Sequence, residues 1–414
     1  APFSPQQKKY LRRNNLVFGF FDPRFSDVET QFSQALDSGF ETGASIAVEH
    51  QGQMVVNLWG GHKDRAKTQP WREDTLVNVF STTKAVTATC LLQLVEQGKL
   101  SLDDLVGDHW PEYACHGKEK TKVSDFLCHR AAMHGFQGGV PNLDYRDWEA
   151  WTQALAAQKP FREPGSTQGY HALTYGWLVG ELIRRIDGRL VGQYFEEEIA
   201  KPFGLDFKIG LDADAIERCG DILVDTRRSP WLLMVVAATP DVLLPERLRT
   251  LKKYLRMGDM KAAFASKSDE PGEMNTREWR EADIPSASGH GTAASLAKMF
   301  GILSTGGTRD GKQLLGETAI NKGLTPLSNG PDTVIFGAPI RFGVGYDLGL
   351  GLTTVGGRPH PPHIFGHSGI GGSVAFGDPK SGLGYGFVGN RMHKLKDLYR
   401  TSNNLTRTVL ALVS

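Results

Sequence analysis

Phe80-Ser81-Thr82-Thr83-Lys84, followed at once by Ala85–Glu96 (AVTATCLLQLVE), is the stretch that decides how the rest of the chain is read. Ser81 and Lys84 form an S-x-x-K tetrapeptide. The residues before it, Thr75–Phe80 (TLVNVF), are apolar and β-branched enough to approach as extended chain. Those after it place Val86, Cys90, Leu91 and Leu94 at helical spacing, and Gly98 is a suitable residue just past the helix end. Ser81 is therefore expected near a helix N-terminus, where backbone N–H groups are unpaired and negative charge is favoured. Lys84 shares a helix face with it. A serine with an amine in reach and free N–H groups nearby has the parts of an activated nucleophile. The competing reading makes Ser81 an N-cap and Lys84 a solvated helix residue.

Composition narrows the alternatives. The 414 residues suffice for a large core and two subdomains. A hydrophobic fraction of 40%, a charged fraction of 22% and a net charge of +1 describe an ordinary globular chain, with no basic excess to suit nucleic acid. Apolar runs fall short of the roughly 20 residues of a membrane helix. The greasiest is Trp231–Ala238 (WLLMVVAA), which suits a buried segment or a pocket lid. The cysteines (Cys90, Cys115, Cys128, Cys219) show neither CxxC nor zinc spacing, so they point to no metal and to no particular redox compartment. Of the scattered histidines only His360-Pro361-Pro362-His363 is clustered, and its prolines suit a surface loop better than a metal site. The reading is a soluble chain, cytoplasmic before periplasmic or secreted. It needs no cofactor, and its oligomeric state is not legible.

Along the chain, residues 1–26 read as a basic, then aromatic, arm. Val28, Phe32 and Leu36 predict an amphipathic helix over 27–39. Residues 43–50 and 53–59 form a predicted hairpin about Gln51-Gly52. Helices are expected at 124–134, 148–157, 173–186, 247–257, 293–303 and 398–412. Residues 265–283 read as polar loop. Strands are expected at 342–350, 374–378 and 383–390. Strands at both ends with helices between them predict an α+β fold: an antiparallel sheet from 1–100 and 285–414, flanked by helices, with a mainly helical domain, 101–284, inserted. The active site would lie in the cleft between the two.

Two further motifs carry chemistry. Pro164-Gly165-Ser166 followed by Gly169-Tyr170-His171-Ala172 is a turn entering a helix. A phenol beside a lysine ammonium loses its proton more readily and serves as a general base. Otherwise Tyr170 is a half-buried tyrosine bonded to a carbonyl. In Gly366-His367-Ser368-Gly369-Ile370 the glycines let a strand edge approach a substrate, so that a backbone N–H faces an oxyanion. His367 would donate to a substrate carbonyl or to Tyr170, or else be a loop histidine in a glycine-rich bulge.

S-T-T-K opening a helix, a tyrosine about 90 residues later, and H-S-G near the C-terminus resemble the serine β-lactamase/penicillin-binding-protein superfamily. The chain looks most like its class C β-lactamase-like esterase branch, the family VIII carboxylesterases. Residues 77–102, 123–135, 170–189 and 366–379 read like family blocks, and the resemblance spans roughly residues 28–410. It implies a β-lactamase-like fold and a carboxylesterase acting on short-chain esters through an acyl-enzyme on Ser81. Lys84 and Tyr170 would be the general-base pair, with the backbone N–H groups of Ser81 and Ile370 as the oxyanion hole. His367, Ser368, Gly369 and His171 would contact substrate. Two departures matter. Tyr170-His171-Ala172 lacks the asparagine of the β-lactamase Tyr-x-Asn, and His367 replaces the lysine of K-T-G. Both weaken a β-lactamase or D,D-peptidase reading and suit neutral esters. An acyltransferase using the same acyl-enzyme, or a non-catalytic scaffold, are the remaining alternatives. An α/β-hydrolase is discounted, because no serine has glycine at both −2 and +2. Residues 212–284, with Trp231, Leu232, Leu233, Met234 and Phe264, are candidate walls of an apolar pocket, as are Trp148, Trp151 and Tyr175.

Overall fold

The computed structural model describes residues 17–225, 239–241, 244–267, 272–355 and 357–413. The pocket candidates Trp231, Leu232, Leu233 and Met234 lie outside the described residues. So does the first part of the expected N-terminal arm.

The large sheet has nine strands, numbered here in chain order: β1 (Val17–Phe21), β2 (Gly43–His50), β3 (Gln53–Gly61), β4 (Ser328–Pro331), β5 (Pro339–Phe342), β6 (Asp347–Leu348), β7 (Phe365–Ser368), β8 (Val374–Asp378) and β9 (Leu383–Gly389). Their spatial order is β1-β3-β2-β9-β8-β7-β6-β5-β4, with every neighbouring pair antiparallel. The sheet is thus made from both ends of the chain, and the β2–β9 pairing (Ile46 opposite Phe387) joins them. The predicted hairpin is β2–β3. Gln51 and Gly52, at φ 51° and 77°, supply the left-handed backbone that a two-residue turn between twisted strands requires.

Six helices frame the sheet and the site: α1 (Ser26–Asp37), α2 (Thr83–Glu96), α3 (Trp148–Ala157), α4 (Thr174–Asp187), α5 (Ala293–Ser304) and α6 (Arg400–Val413). The apolar faces of α1 and α6 cover one side of the sheet, where Phe32, Leu36, Leu405 and Val409 pack with Ile46, Val48, Phe376 and Tyr385. On the other side α5 lies so close to β9 that a Cβ on Gly384 would stand 2.0 Å from the Ala297 carbonyl oxygen. A larger core joins α2 to α3 and α4, where Trp151 stacks on Trp177 at 4.5 Å. Trp151 is core rather than pocket wall. Trp148 is buried too, and its Nε1 donates to Glu181 at 2.7 Å.

Several expectations need correction. α2 is buried all round from Thr83 to Leu94 rather than along one stripe. The helix expected at 124–134 stops at Leu127, because the chain turns through left-handed conformations at His129 (φ 62°) and Ala132 (φ 53°). Residues 342–350 are two strands rather than one, separated by a reversal at Gly345 (φ 73°). The expected polar loop 265–283 contains a short helix, Arg277–Glu281, capped by the Thr276 side chain. Val17–Phe21 is an edge strand of the sheet, not an arm laid on the body.

The β9–α5 contact holds the sheet against the helices that carry the site. Gly384→Ala is expected to destabilise the fold by about 1–3 kcal/mol, an overpacking cost. Gly330→Ala, where an added Cβ meets nothing within 4 Å, is expected to change stability by no more than about 0.5 kcal/mol. Urea midpoints measured side by side check both.

Candidate active site

Ser81 sits in a single turn of 3-10 helix, Phe80–Thr82, one step before α2 begins at Thr83. The turn is held in an uncommon conformation. Phe80 has φ +47°, which costs a bulky residue on the order of 1–3 kcal/mol and persists only where the surroundings fix it. They do so from three directions. Asn78 Oδ1 accepts from the Phe80 N–H at 2.8 Å. The Val79 N–H donates to the Gly289 carbonyl at 2.8 Å, and the Val79 carbonyl accepts from Ser373 Oγ at 2.7 Å. Thr83 Oγ1 donates to the Phe80 carbonyl at 2.6 Å and lies 3.0 Å from the Gly289 N–H. Asn78 and Gly289 are brought together by a small sheet in which Val77–Asn78 pairs with Gly289–Gly291.

Lys84 enters this turn from below. Its Nζ lies 2.9 Å from Ser81 Oγ, 2.7 Å from the Ala172 carbonyl oxygen and 3.0 Å from the Ser286 carbonyl oxygen. The side chain is buried, and among the described residues it has no carboxylate salt bridge. Burial drives its pKa well below the ordinary lysine value. Three acceptors would suit an ammonium, whereas burial favours the neutral amine. The two are reconciled by the carbonyls, which only accept. With two N–H bonds spent on the Ala172 and Ser286 carbonyls, the remaining side of the nitrogen faces Ser81 Oγ.

Tyr170 is also buried, with its ring centroid 5.0 Å from Lys84 Nζ. Burial raises the phenol pKa well above its ordinary value; a hydrogen bond with Ser81 opposes that in part. This corrects the expectation of an easily ionised phenol. The expectation required a lysine ammonium alongside, and burial works against that charge as well. Asp332 fixes the backbone beneath Tyr170 by accepting from the N–H groups of Tyr170, Val334 and Ile335 at 2.9–3.1 Å. Tyr175, a pocket candidate, is buried with its ring centroid 5.6 Å from Lys84 Nζ.

The H-S-G strand arrives where the motif expected it. Gly369 approaches the Ser81 turn so closely that a Cβ there would lie 2.2 Å from the Val79 carbonyl oxygen and 3.1 Å from Phe80 Cβ. The bonds of the following turn run from the Gly369 N–H to the Ser373 carbonyl and from the Gly372 N–H to the Gly369 carbonyl, and the Ile370 N–H has no backbone partner among the described residues. His367 is buried with its ring 6.0 Å from that of Tyr170. Its Nδ1 lies 2.8 Å from the Ser368 carbonyl oxygen, so Nδ1 carries the proton. Burial pushes its pKa down to about 3, which leaves Nε2 as an acceptor. That reverses the expected donor role. Ser368 Oγ is directed at the Tyr399 hydroxyl, 3.4 Å away.

His171 is not a substrate contact. Its Nε2 accepts from the Met133 N–H at 3.1 Å and its Nδ1 donates to the Gly169 carbonyl at 2.7 Å. With both ring nitrogens spent on the backbone, it fixes the turn that delivers Tyr170. Sequence reading missed Ser286, Asp332, Asn78 and Ser373. Ser286 contributes a carbonyl, which no side-chain motif announces. Pro331-Asp332-Thr333 carried a usable signal, since an aspartate in such a turn bonds the backbone two residues on.

The chain is similar to known proteins over nearly its whole length. The family model described as Beta-lactamase matches residues 28–406. The chain is 32% identical over 385 residues to the Esterase/beta-lactamase LipL of Mycobacterium tuberculosis, covering 91% of this chain and 83% of that protein. The crystal structure of a family VIII carboxylesterase superimposes with TM-score 0.82 at 32% identity, over 96% of this chain and 99% of the other. That of a penicillin-binding protein homologue from Caulobacter crescentus does so with TM-score 0.81 at 35% identity, over the same shares. With the motifs, the sheet order and these likenesses in agreement, the chain belongs to the beta-lactamase family.

Proposed function

We propose that the protein is a serine carboxylesterase acting on neutral, short-chain esters through an acyl-enzyme on Ser81. The observation that carries this reading is the Lys84 amine, placed 2.9 Å from Ser81 Oγ with its other two contacts on carbonyl oxygens. Lys84 accepts the Ser81 proton as Oγ attacks the ester carbonyl. The Ser81 and Ile370 N–H groups receive the developing oxyanion. Tyr170 gives its proton to the departing alkoxide and recovers one from Lys84. Water then attacks the acyl group, passes a proton to the Lys84–Tyr170 pair, and Ser81 Oγ leaves reprotonated. The active site lies between the sheet part, 1–100 and 285–414, and the mainly helical part, 101–284.

Neutral esters are favoured over β-lactams by what stands at position 367. A carboxylate on the substrate would meet the bare Nε2 of a neutral histidine instead of an ammonium. The likeness to a family VIII carboxylesterase supports the same choice.

Hydrolysis of p-nitrophenyl butyrate tests the assignment. Ser81→Ala is expected to abolish turnover. Lys84→Ala and Tyr170→Phe are each expected to lower kcat by roughly 10²-fold or more, the cost of losing a positioned base or acid. Retention of wild-type rates by Ser81→Ala would reduce Ser81 to a structural turn residue.

The pH profile tests the protonation states. The active amine is neutral, so kcat/KM falls as pH falls through the lowered Lys84 pKa. Since that pKa is depressed, the plateau is reached well below 10.5, the ordinary lysine value. Activity that appears only above pH 10 would mean that Lys84 is charged in the resting enzyme.

A further inference from the structure

The short helix Asp259–Ala263 and the residue after it, Phe264, stand beside Tyr170. Met260, Ala263 and Phe264 share one face at i, i+3 and i+4. Ala263 and Met260 pack in an apolar cluster with Tyr170, Val334 and Phe342. The Phe264 ring centroid lies 6.2 Å from that of Tyr170, yet Phe264 remains 38% exposed. Among the described residues six large apolar side chains are that exposed, and this is the one whose ring pairs with Tyr170. An exposed aromatic beside a reacting centre is an unsatisfied apolar surface.

The helix is fastened by charge rather than by apolar packing alone. Asp259 is buried and takes a two-pronged contact from Arg162, at 2.7 and 2.9 Å. His134 Nε2 stands 3.5 Å from its Oδ1. Burial would raise the Asp259 carboxyl, but the bonds to His134 and Arg162 outweigh it and hold it below the usual carboxylate range. Arg162 and His134 lie on the two loops that also carry Tyr170 and its support. Arg162 precedes the Pro164-Gly165 turn and reaches Thr333 Oγ1 at 3.4 Å, next to Asp332. His134 follows Met133, whose N–H is bound by His171, and stacks on Phe161 at 4.2 Å. The preceding helix, Glu246–Met257, ends at Gly258 with φ 76°, so the chain reverses into Asp259 at a flexible residue. The Asp259 clasp therefore fixes where Phe264 stands relative to Tyr170.

Resting on the esterase reading above, we propose that Phe264 is the specificity wall for the apolar group of the ester, and that Asp259 is the positioning residue that holds this wall against Tyr170 through Arg162 and His134. The substrate class is then a neutral ester whose acyl or alkoxy chain extends past the carbonyl far enough to cover the exposed face of Phe264. Acetyl esters are too short to use it.

The test is kcat/KM for p-nitrophenyl acetate, butyrate and hexanoate with wild type, Phe264→Ala, Phe264→Leu, Asp259→Asn and Asp259→Glu. Wild type is expected to favour hexanoate over acetate. Phe264→Ala is expected to lower that ratio about 10-fold, the worth of burying two methylenes, and Phe264→Leu to keep most of it. Asp259→Asn is expected to lower the same ratio, chiefly through KM for hexanoate, with Asp259→Glu restoring part. A hexanoate-to-acetate ratio that Phe264→Ala leaves within two-fold of wild type overturns the wall. A loss in Asp259→Asn that falls equally on all three esters overturns the positioning role. If wild type hydrolyses no ester, the esterase reading fails and this proposal with it. If wild type hydrolyses them with a ratio indifferent to these residues, this proposal alone fails.

Discussion

The site depends on a lysine amine kept away from water. Lys84 reaches Ser81 from the first turn of α2, but the two carbonyls that orient it, of Ala172 and Ser286, come from segments far apart in sequence. An exposed lysine three residues from a serine would be a cation surrounded by water and unable to accept a proton. Burial removes the solvation that stabilises the charged form, and the carbonyls then decide which way the remaining lone pair points. Removing either carbonyl would leave the amine free to turn. The chemistry of the nucleophile is thus set by packing as much as by the residues that bear it.

Close approach is the second constraint. The Ser81 turn holds Phe80 in a left-handed conformation, and the fold secures it by crowding. Gly369 of the H-S-G strand touches Val79 and Phe80, Gly289 receives Val79, and Ser373 bonds the Val79 carbonyl. Glycine is needed at 369 because the Val79 oxygen occupies the space a Cβ would take. The same contact ties the H-S-G segment to the strained Ser81 turn. Two motifs nearly 300 residues apart act as one unit for this reason.

Much of this was legible in the chain. S-x-x-K fixes a serine and an amine on one helical turn. Helices 148–157 and 293–303 and strand 374–378 follow from periodicity and flanking turn residues, because their signals are local. The failures share a cause. His129 and Ala132 take left-handed backbone that neither residue type announces, so the predicted helix ran on past Leu127. His171 looked like a substrate contact from its place beside Tyr170, but its partners are backbone groups of Met133 and Gly169. Likewise, α2 shows an apolar stripe in sequence yet is buried on every side, because α4 and the loop around Ser286 cover its polar face, where Thr87 bonds the Pro285 carbonyl.

The sequence by itself determined the order of the three motifs, the spacing that puts Ser81 and Lys84 on one face, and the α+β alternation in which both chain ends supply strands. These are properties of neighbouring residues and of helical and strand periods, which need no knowledge of distant contacts. Only the tertiary structure decided the direction in which burial shifts Lys84, Tyr170 and His367, the carbonyls around the amine, and the backbone partners of His171. Ionisation responds to desolvation and to the charges within a few ångströms. Those are fixed only when the Ser81 turn, the Tyr170 turn and the H-S-G strand are packed together.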